Sequence, residues 1–465
     1  MKNILNKIDL LNNKKPKLNA VLAVLALLAV FCLKTALTMR TANWYAPTIV
    51  GCCGFTGIFI LLVFRNRRVF ITKGGIFVIA MELLVGGSFL FNGLVLRVKA
   101  YCFIGIVFTI LLPILHFIFA THDREKLTLR FCMTLALSYI VLLTVNMFRG
   151  PILVKFQYGA IMGNSNLLGY YLVVLIPALT YLLLKKKDTS FKNKAICWGL
   201  LVSALSMLVF TSSRTSVLAL FFGMGYFLIT AFISRDKSKK REFSKQHIIT
   251  VVIITVTVPI ILFFMLSTVR KELIILEHKL FSSKSSSASS KDDKDDDLES
   301  DFSLDYYIKG LDGEGEDSFT SGRMTIWKDF TKHVGIMGHA SEHREIIEET
   351  RKYEHAKAHN VYLQVAYNAG AGAGAAYLIA VVFIGIRALM LFAGSVTAKK
   401  KHNLELLLSY SFFIGFAITS LTSDGYMIFN YFPVTMFWFT AHNYMFKDKQ
   451  IQEVNETESQ DTAEL

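Results

Sequence analysis

An arginine between two apolar segments is the residue in this chain most able to do chemistry. Arg214 lies in the short polar stretch 211–216, which is all that separates one apolar run from the next. An arginine in a bilayer costs about 2.5–3.5 kcal/mol at a helix centre, so its retention needs a reason. Its guanidinium group is a rigid fork of donors that fits phosphate, and the neighbouring Ser213 adds a hydroxyl. The pattern favours an anion site at Arg214; the alternative is a snorkelling arginine or a helix-end interaction.

Arg323 is a second candidate, at the start of an amphipathic helix predicted over Ser321–Val334. The apolar residues of that helix recur at three- and four-residue spacing and are Met324, Trp327, Phe330 and Val334. A basic residue in the first turn is disfavoured by the helix dipole, so Arg323 suggests an anionic partner from outside. A solvated surface arginine is the alternative. Trp327 would pack on the membrane face or stack on a sugar.

His359 and Asn360 form a third candidate, immediately before another apolar run. Histidine titrates near neutrality and can act as a general base towards a hydroxyl. Asn360 either binds substrate or caps the helix that follows. A fourth and weaker candidate is the stretch 163–169, in which Asn164 can hydrogen-bond a sugar or phosphate and Asn166 is interpreted as a helix cap.

These residues must be positioned by membrane helices. Of the 465 residues, 53% are hydrophobic and 18% are charged, a composition typical of an integral membrane protein. A bilayer core needs about 20 apolar residues per helix. Twelve such runs can be marked, at 18–38, 46–64, 76–95, 101–120, 127–147, 167–184, 195–211, 216–233, 247–266, 361–392, 404–421 and 426–445. We expect an all-α polytopic membrane protein.

The distribution of basic residues predicts the orientation of these spans. Twelve spans place both termini on one side, and most Lys and Arg residues outside the long polar loop then fall on that same side. The positive-inside rule makes that side cytoplasmic. We therefore expect cytoplasmic N- and C-termini in the cell membrane and an extracytoplasmic loop. The basic residues form many short clusters at membrane edges rather than one patch, which argues against a nucleic-acid partner.

The long polar loop divides the chain. We expect spans 1–9 over residues 1–266, the loop over 267–359, spans 10–12 over 360–446 and a cytoplasmic tail over 447–465. Within the loop, the Ser- and Asp-rich tract 282–317 cannot bury enough apolar surface to order itself, whereas 321–353 is predicted to be helical. Small residues over 369–376 would allow a neighbouring helix to approach closely. The six cysteines fall inside apolar runs, so neither a disulfide framework nor a metal site is predicted.

Taken in order, these motifs resemble the O-antigen ligase and polymerase family of bacterial membrane glycosyltransferases. The resemblance covers roughly residues 160–380. It is carried by Gly163-Asn-Ser-Asn166, Ser213-Arg214, Ser321-Gly-Arg323 with Ile326-Trp327, Gly338, and Ala358-His-Asn-Val-Tyr-Leu-Gln364. The chain departs from the family at Asn368, where members often have an acidic residue before the small-residue segment.

The resemblance implies a GT-C-like fold whose outward-facing cavity accepts a glycan carried on undecaprenyl pyrophosphate. The glycan would be transferred to an acceptor hydroxyl, on another glycan or a different molecule, without a required metal or other cofactor. Carried over by position, Arg214 and Arg323 would hold the pyrophosphate, and His359 would act as a base or position the acceptor. Beside them, we assign substrate binding to Asn164, Ser213, Trp327 and Asn360.

Three functions stay open on the sequence. The first is an enzyme, either a surface polysaccharide polymerase or a ligase, acting on lipid-linked oligosaccharide. The second is a lipid-linked glycan flippase, which should show paired halves and polar residues deep within spans. No internal repeat is visible, and Lys34 and Arg387 lie towards span ends. The third is a peptidoglycan-type glycosyltransferase, which also combines many spans with a large outer loop.

Overall fold

The structure is a computed structural model, and it describes sixteen separate stretches of the chain. These are residues 69–120, 124–149, 153–154, 157–158, 165–185, 191–211, 213–234, 249, 253, 323–339, 357–397, 402–423, 425, 433–438 without 435, and 446–448. Several predictions lie outside the described residues: the spans 18–38 and 46–64, nearly all of the span 247–266, most of the span 426–445, the tract 282–317, the helix expected beyond residue 340, Asn164, and most of the tail.

The described residues are predominantly α-helical. The helices are α1 (Lys73–Val95), α2 (Lys99–Ile106), α3 (Leu112–Ala120), α4 (Arg124–Arg149), α5 (Ser165–Lys185), α6 (Phe191–Thr211), α7 (Arg214–Ile233), α8 (Arg323–His333), α9 (Val361–Ala369), α10 (Ala371–Thr397) and α11 (Leu404–Ser420). A π-helical turn, Val107–Leu111, joins α2 to α3. Two short antiparallel pairs accompany the helices: β1 (Val69–Ile71) with β4 (Phe446–Asp448), and β2 (Leu153–Val154) with β3 (Gln157–Tyr158). The predicted all-α class holds apart from these strands.

Among the described residues, seven helical stretches are long and apolar enough to cross a membrane. They are Lys73–Val95, Lys99–Phe117, Arg124–Thr144, Ser165–Lys185, Lys194–Thr211, Arg214–Ile233 and Ala371–Thr397. α11 is also apolar but shorter, with 17 residues. These helices confirm a multi-pass membrane protein, while the full set of twelve spans stays a prediction.

The predicted single span 361–392 is wrong, because the chain forms α9 and α10 in its place. The helix breaks at Gly370, whose φ is 97°. Any other residue would be strained in that conformation, and a side chain there would meet the carbonyl oxygen of Ile336. α9 has nine residues and is too short to cross a bilayer.

α5 lies at the centre of the bundle. Inside the protein, 94% of the apolar segment of α5 is buried. The helix is apolar on all sides, as expected of a helix enclosed by others. α4, α6, α7 and α11 pack around it. Helices farther out expose large apolar side chains, such as Phe221 at 69% and Leu389 at 67%. Those side chains form the surface expected to face lipid.

Small residues set the closest helix contacts. On α7, Gly223 lies against the carbonyl of Ser411 on α11. A side chain at Gly374, on α10, would meet Ala366 of α9. The predicted packing role of the small residues over 369–376 is therefore confirmed at Gly374, whereas Gly372 faces open space.

The helices share two ends, which we name after one residue each. At the Arg214 end, α5 and α7 begin side by side. At the opposite Glu405 end, α5 finishes and α11 begins, and the Lys185 ammonium lies 2.9 Å from a carboxylate oxygen of Glu405. The β1–β4 pair belongs to the Glu405 end, since β1 leads directly into α1, whose first turn lies beside Arg387 in the second half of α10.

Candidate active site

The starts of α5, α7 and α9 lie at the Arg214 end, together with the ends of α6 and α11. Tyr170, in the second turn of α5, donates its hydroxyl to the carbonyl oxygen of Thr422, just after α11, at 3.4 Å. Tyr362, in the first turn of α9, lies near the side chain of Ser420, the last residue of α11. The starts of α5, α7 and α9 therefore lie near the end of α11. Helix starts carry partial positive charge and N–H groups without intrahelical partners, so this end of the bundle favours an anion.

Arg214 is the first residue of α7, and its side chain is partly exposed. Behind it, the buried Ser213 donates its hydroxyl to Asn166 Oδ1 at 2.9 Å and lies 2.8 Å from the Ser216 hydroxyl. These bonds tie the start of α7 to the start of α5. Because the Ser213 hydroxyl has a single proton, and Asn166 accepts it, Ser213 positions Arg214 rather than donating to a bound anion.

The interpretation of Asn166 as a helix cap is wrong. α5 begins at Ser165, so Asn166 lies within the first turn and its amide oxygen accepts the Ser213 hydroxyl. Gly169 lets the two helix starts approach, because a side chain there would meet the Ser216 hydroxyl oxygen. The described part of the 163–169 motif therefore joins helices at this end of the bundle.

His359 has a left-handed backbone conformation, with φ of 47°. Non-glycine residues rarely adopt this region, although histidine does so more often than most, and such outliers cluster at functional sites. Its side chain is partly exposed. Asn360 follows in an extended conformation, and its Oδ1 accepts the backbone N–H groups of Tyr362 at 3.0 Å and Leu363 at 3.2 Å. The cap role of Asn360 is confirmed, and its role in substrate binding stays a prediction.

Gln364 holds the His359 turn from inside α9 and was not among the predicted site residues. Its Oε1 accepts the backbone N–H of Ala358 at 2.8 Å, and its Nε2 donates to Asn368 Oδ1 at 3.1 Å. The turn is thus fixed on both sides of His359. The available signal was the spacing of Gln364 and Asn368, four residues apart on one helix face. Asn368, the position that departs from the family, completes this clamp.

α8 packs on α9 through a face that only partly matches the predicted apolar stripe. Ile326 and Phe330 are buried against Tyr367 of α9, and the Phe330 and Tyr367 ring centroids are 4.9 Å apart. Met324 is exposed and Trp327 is only partly buried. Of the predicted apolar stripe, Phe330 is therefore buried against α9, whereas Met324 and Trp327 lie outside that contact.

Arg323 opens α8 and is partly exposed. One turn along, the indole N–H of Trp327 is buried and has no hydrogen-bond acceptor among the described residues. Since α8 docks on α9, Arg323 and Trp327 belong to the same packed unit as His359.

The loop after α8 passes between α1 and the junction of α9 with α10. The backbone N–H of Gly338 donates to Asn92 Oδ1 at 2.8 Å, and Asn92 Nδ2 donates to the carbonyl oxygen of Ala369 at 3.0 Å. A side chain at Gly338 would meet the backbone of Asn368, which explains the glycine of this motif. Asn92 was not predicted. The available signal in the sequence was an asparagine inside an apolar run, because a polar residue in a membrane span is costly unless it is paired.

The predicted site residues form two groups at the Arg214 end. Ser213 and Arg214 are held by α7, and the α8–α9 unit holds the other four, which are Arg323, Trp327, His359 and Asn360. The groups are joined through one core cluster, in which Tyr170 of α5 and Val361 of α9 are both buried. Within the part of the chain that the structure describes, no group of three or more His, Cys, Asp or Glu side chains is arranged to hold a metal.

Residues 199–378 match the family model described as O-antigen ligase. The match confirms the resemblance seen in the sequence, and it runs from α6 to the first turns of α10. It includes Arg214, Arg323 and His359. No curated protein and no solved structure matches the chain. The match supports a family of membrane polysaccharide ligases and polymerases.

Proposed function

We propose that this chain, which carries an O-antigen ligase domain over residues 199–378, is a membrane glycosyltransferase. It would take oligosaccharide from undecaprenyl pyrophosphate and either polymerise it or join it to a final acceptor. The observation that supports the proposal is the set of groups at the Arg214 end. Three helix starts, Arg214 and the strained His359 turn gather there, and the two residues lie within the matched region.

In the proposed reaction, the acceptor oxygen bonds to the sugar C1 while the bond from C1 to the diphosphate oxygen breaks. The electron pair of the broken bond stays on the diphosphate. Arg214, Arg323 and the N–H groups of the helix starts stabilise that added charge. The acceptor proton passes to the His359 imidazole. Fixed cations at an interface of low dielectric lower the barrier because their attraction for the leaving group is weakly screened.

We propose that the Arg214 end faces the outside of the cell. The support is the excess of basic residues in segments adjoining the Glu405 end, such as 185–187 and 235–245. Cysteines introduced at Ser290 and at Ser459 test this with a membrane-impermeant thiol reagent on intact cells. Labelling at Ser290 alone is expected. Labelling at Ser459 alone would reverse the orientation.

The enzymatic proposal is tested with purified protein in lipid nanodiscs and a defined undecaprenyl-pyrophosphate-linked oligosaccharide. Release of undecaprenyl pyrophosphate together with a longer or transferred glycan is the expected result. A deletion strain separates the two activities. Loss of the chain-length ladder points to polymerisation, whereas long chains retained on the lipid carrier point to ligation.

A lipid-linked glycan flippase is the second candidate, and one observation favours it. Glu82 of α1 and His116 of α3 are buried deep within the bundle, with Glu82 Oε1 and His116 Nε2 3.1 Å apart. The expectation that polar residues lie towards span ends overlooked this pair. Liposomes decide between the candidates, since a flippase moves the donor to the other leaflet without releasing undecaprenyl pyrophosphate.

A further inference from the structure

An apolar groove opens on the side of α1 that faces away from the core. Its volume is about 390 Å³, and its walls include Leu84 and Phe91 of α1 on one side and Ile336 and Met337 on the other. Leu84 is 46% exposed and Phe91 is 56% exposed. Because α1 is apolar enough to cross a membrane, the groove opens towards lipid.

The second wall is a fixed loop that would be unfavourable in water. Ile336 is 94% exposed, and Met337 beside it is exposed as well. Hydrogen bonds hold the backbone on both sides of them: the Ala371 N–H donates to the Gly335 carbonyl at 2.8 Å, and the Gly338 N–H donates to Asn92 Oδ1 at 2.8 Å. A rigid loop that presents large apolar side chains needs an apolar medium or ligand against them.

The polar atoms at the edge of the groove are engaged within the protein. Asn92 Nδ2 donates to the carbonyl oxygens of Ser88 at 2.9 Å and Ala369 at 3.0 Å. The Ser88 hydroxyl donates to the carbonyl oxygen of Leu84 at 2.9 Å. The walls named in the groove carry no charged side chain. A hydrocarbon chain is therefore the chemistry that fits.

The geometry points to the isoprenoid tail of the lipid-linked donor as the occupant, an inference that rests on the proposed function. The groove adjoins the α8–α9 unit, which holds Arg323 and His359. Its loop wall follows directly after α8, which begins with Arg323, and Ala369 at its edge is the last residue of α9. Nine helical residues span about 13.5 Å, so the groove begins one short helix away from the His359 turn. A lipid with its diphosphate at that turn has its tail directed here.

Photocrosslinking tests the occupant without requiring turnover. p-Benzoylphenylalanine is placed at Leu84, at Phe91 or, as a matched lipid-facing control on α7, at Phe221. Each full-length protein is irradiated in phosphatidylglycerol nanodiscs that contain undecaprenyl pyrophosphate. Polyprenyl adducts are expected at Leu84 and Phe91 at about ten times the yield at Phe221, the ratio for a site that binds this tail about 1.4 kcal/mol better than the lipid surface.

Equal polyprenyl yields at the three positions, or phospholipid adducts that dominate at Leu84 and Phe91, would overturn the assignment. Failure of the proposed function looks different. Wild-type protein that transfers no glycan but crosslinks the polyprenyl chain selectively would retain the groove and refute the transferase. Active protein without selective crosslinks would refute the groove alone.

A substitution in the groove provides a second test, through its effect on KM. Leu84→Trp fills part of the groove and should raise KM for an undecaprenyl donor about tenfold, the loss expected when about two methylene groups leave an apolar site. The KM for a short citronellyl pyrophosphate donor should stay unchanged, and Phe221→Trp should alter neither. An equal rise for both donors would show a general defect and exclude the tail site.

Discussion

The two ends of the bundle use polar residues in opposite ways. At the Glu405 end, the buried Glu405 carboxylate accepts the Tyr181 hydroxyl at 2.8 Å and the Lys185 ammonium at 2.9 Å. Lys185 also lies 3.3 Å from a carboxylate oxygen of Glu125. Opposite charges meet one another there and join α4, α5 and α11. At the Arg214 end, by contrast, a guanidinium and the starts of α5, α7 and α9 lie beside the ends of α6 and α11, and the hydrogen bonds that join them are between neutral groups.

This difference separates polar groups that stabilise the fold from polar groups that can bind a ligand. Charges that neutralise one another within the protein stabilise a contact but have little field left for a ligand. A guanidinium at a helix start that is positioned by bonds between neutral groups, such as the bond of Ser213 with Asn166, can act on a partner from outside. We therefore expect changes at the Arg214 end to lower activity at little cost in stability. Changes at the Glu405 end should do the reverse.

The largest effect is expected from Arg214→Ala. Removing a fixed cation from a leaving diphosphate should lower kcat by about 10²–10³-fold, the range seen when one oxyanion donor is lost. Release of undecaprenyl pyrophosphate in nanodiscs measures it. Arg387→Ala is the control, since Arg387 lies over the Phe383 ring, 5.3 Å from its centroid, near the Glu405 end. If both variants lose activity to the same extent, the comparison between the ends breaks down.

His359→Gly sharpens the comparison by separating strain from chemistry. Loss of a general base should lower kcat by about 10²-fold or more. Glycine adopts the positive φ of this position freely, so thermal unfolding in detergent should show no loss of stability. His359→Ala keeps the strain and should be equally inactive. Full activity of the glycine variant would remove the imidazole from the reaction.

Glu405→Gln probes the opposite end. The change removes the charge that Lys185 and Tyr181 face and should lower the free energy of unfolding by about 1–3 kcal/mol. A fall in Tm is expected, with kcat unchanged at low temperature. Glu125→Gln is the matched control, because the Glu125 side chain is 60% exposed and exposed ion pairs contribute little. A Glu405 variant that is inactive at an unchanged Tm would contradict the division of roles.

Ser213→Ala should give the smallest effect. The variant loses the hydrogen bond to Asn166 and loosens the start of α7, which should weaken transition-state stabilisation by Arg214 by about 1 kcal/mol. That corresponds to a reduction of about fivefold in kcat/KM. Ser206→Ala on α6 is the control, since the Ser206 hydroxyl donates only to the carbonyl of Val202, one turn back on the same helix. An effect on Tm without one on kcat/KM would make Ser213 purely structural.

The sequence predicted what depends on local pattern. Apolar runs of bilayer length gave the membrane helices, and the position of Asn360 before an apolar run gave a cap, since both signals lie within a few residues. Contacts between distant residues left no such signal. Asn92 and Gly338 are 246 residues apart, and no pattern in the sequence around either residue indicates the contact. The side of α8 that packs on α9 could not be predicted for the same reason, because the contact depends on residues of α9 that are distant in the sequence.

Two further omissions differ in whether the sequence carried a signal. A lone carboxylate within an apolar span, as at Glu82, is costly unless it is paired, so it pointed to a partner such as His116. The glycine-rich stretch 369–376 was interpreted entirely as packing. Gly370 breaks the helix there, and only the left-handed φ of that one residue distinguishes a break from close packing.

The β1–β4 ladder constrains how the bundle can move. It pairs residues that precede the first described helix with residues near the other extreme of the described chain, Val69 opposite Asp448. Three residue pairs join these segments at the Glu405 end. The two segments can therefore separate only if the ladder breaks, whereas the helices can rotate about it without breaking it. A carrier that rocks open alternately towards both leaflets would have to pivot on this ladder. An enzyme that works only at the far end can leave it intact throughout turnover.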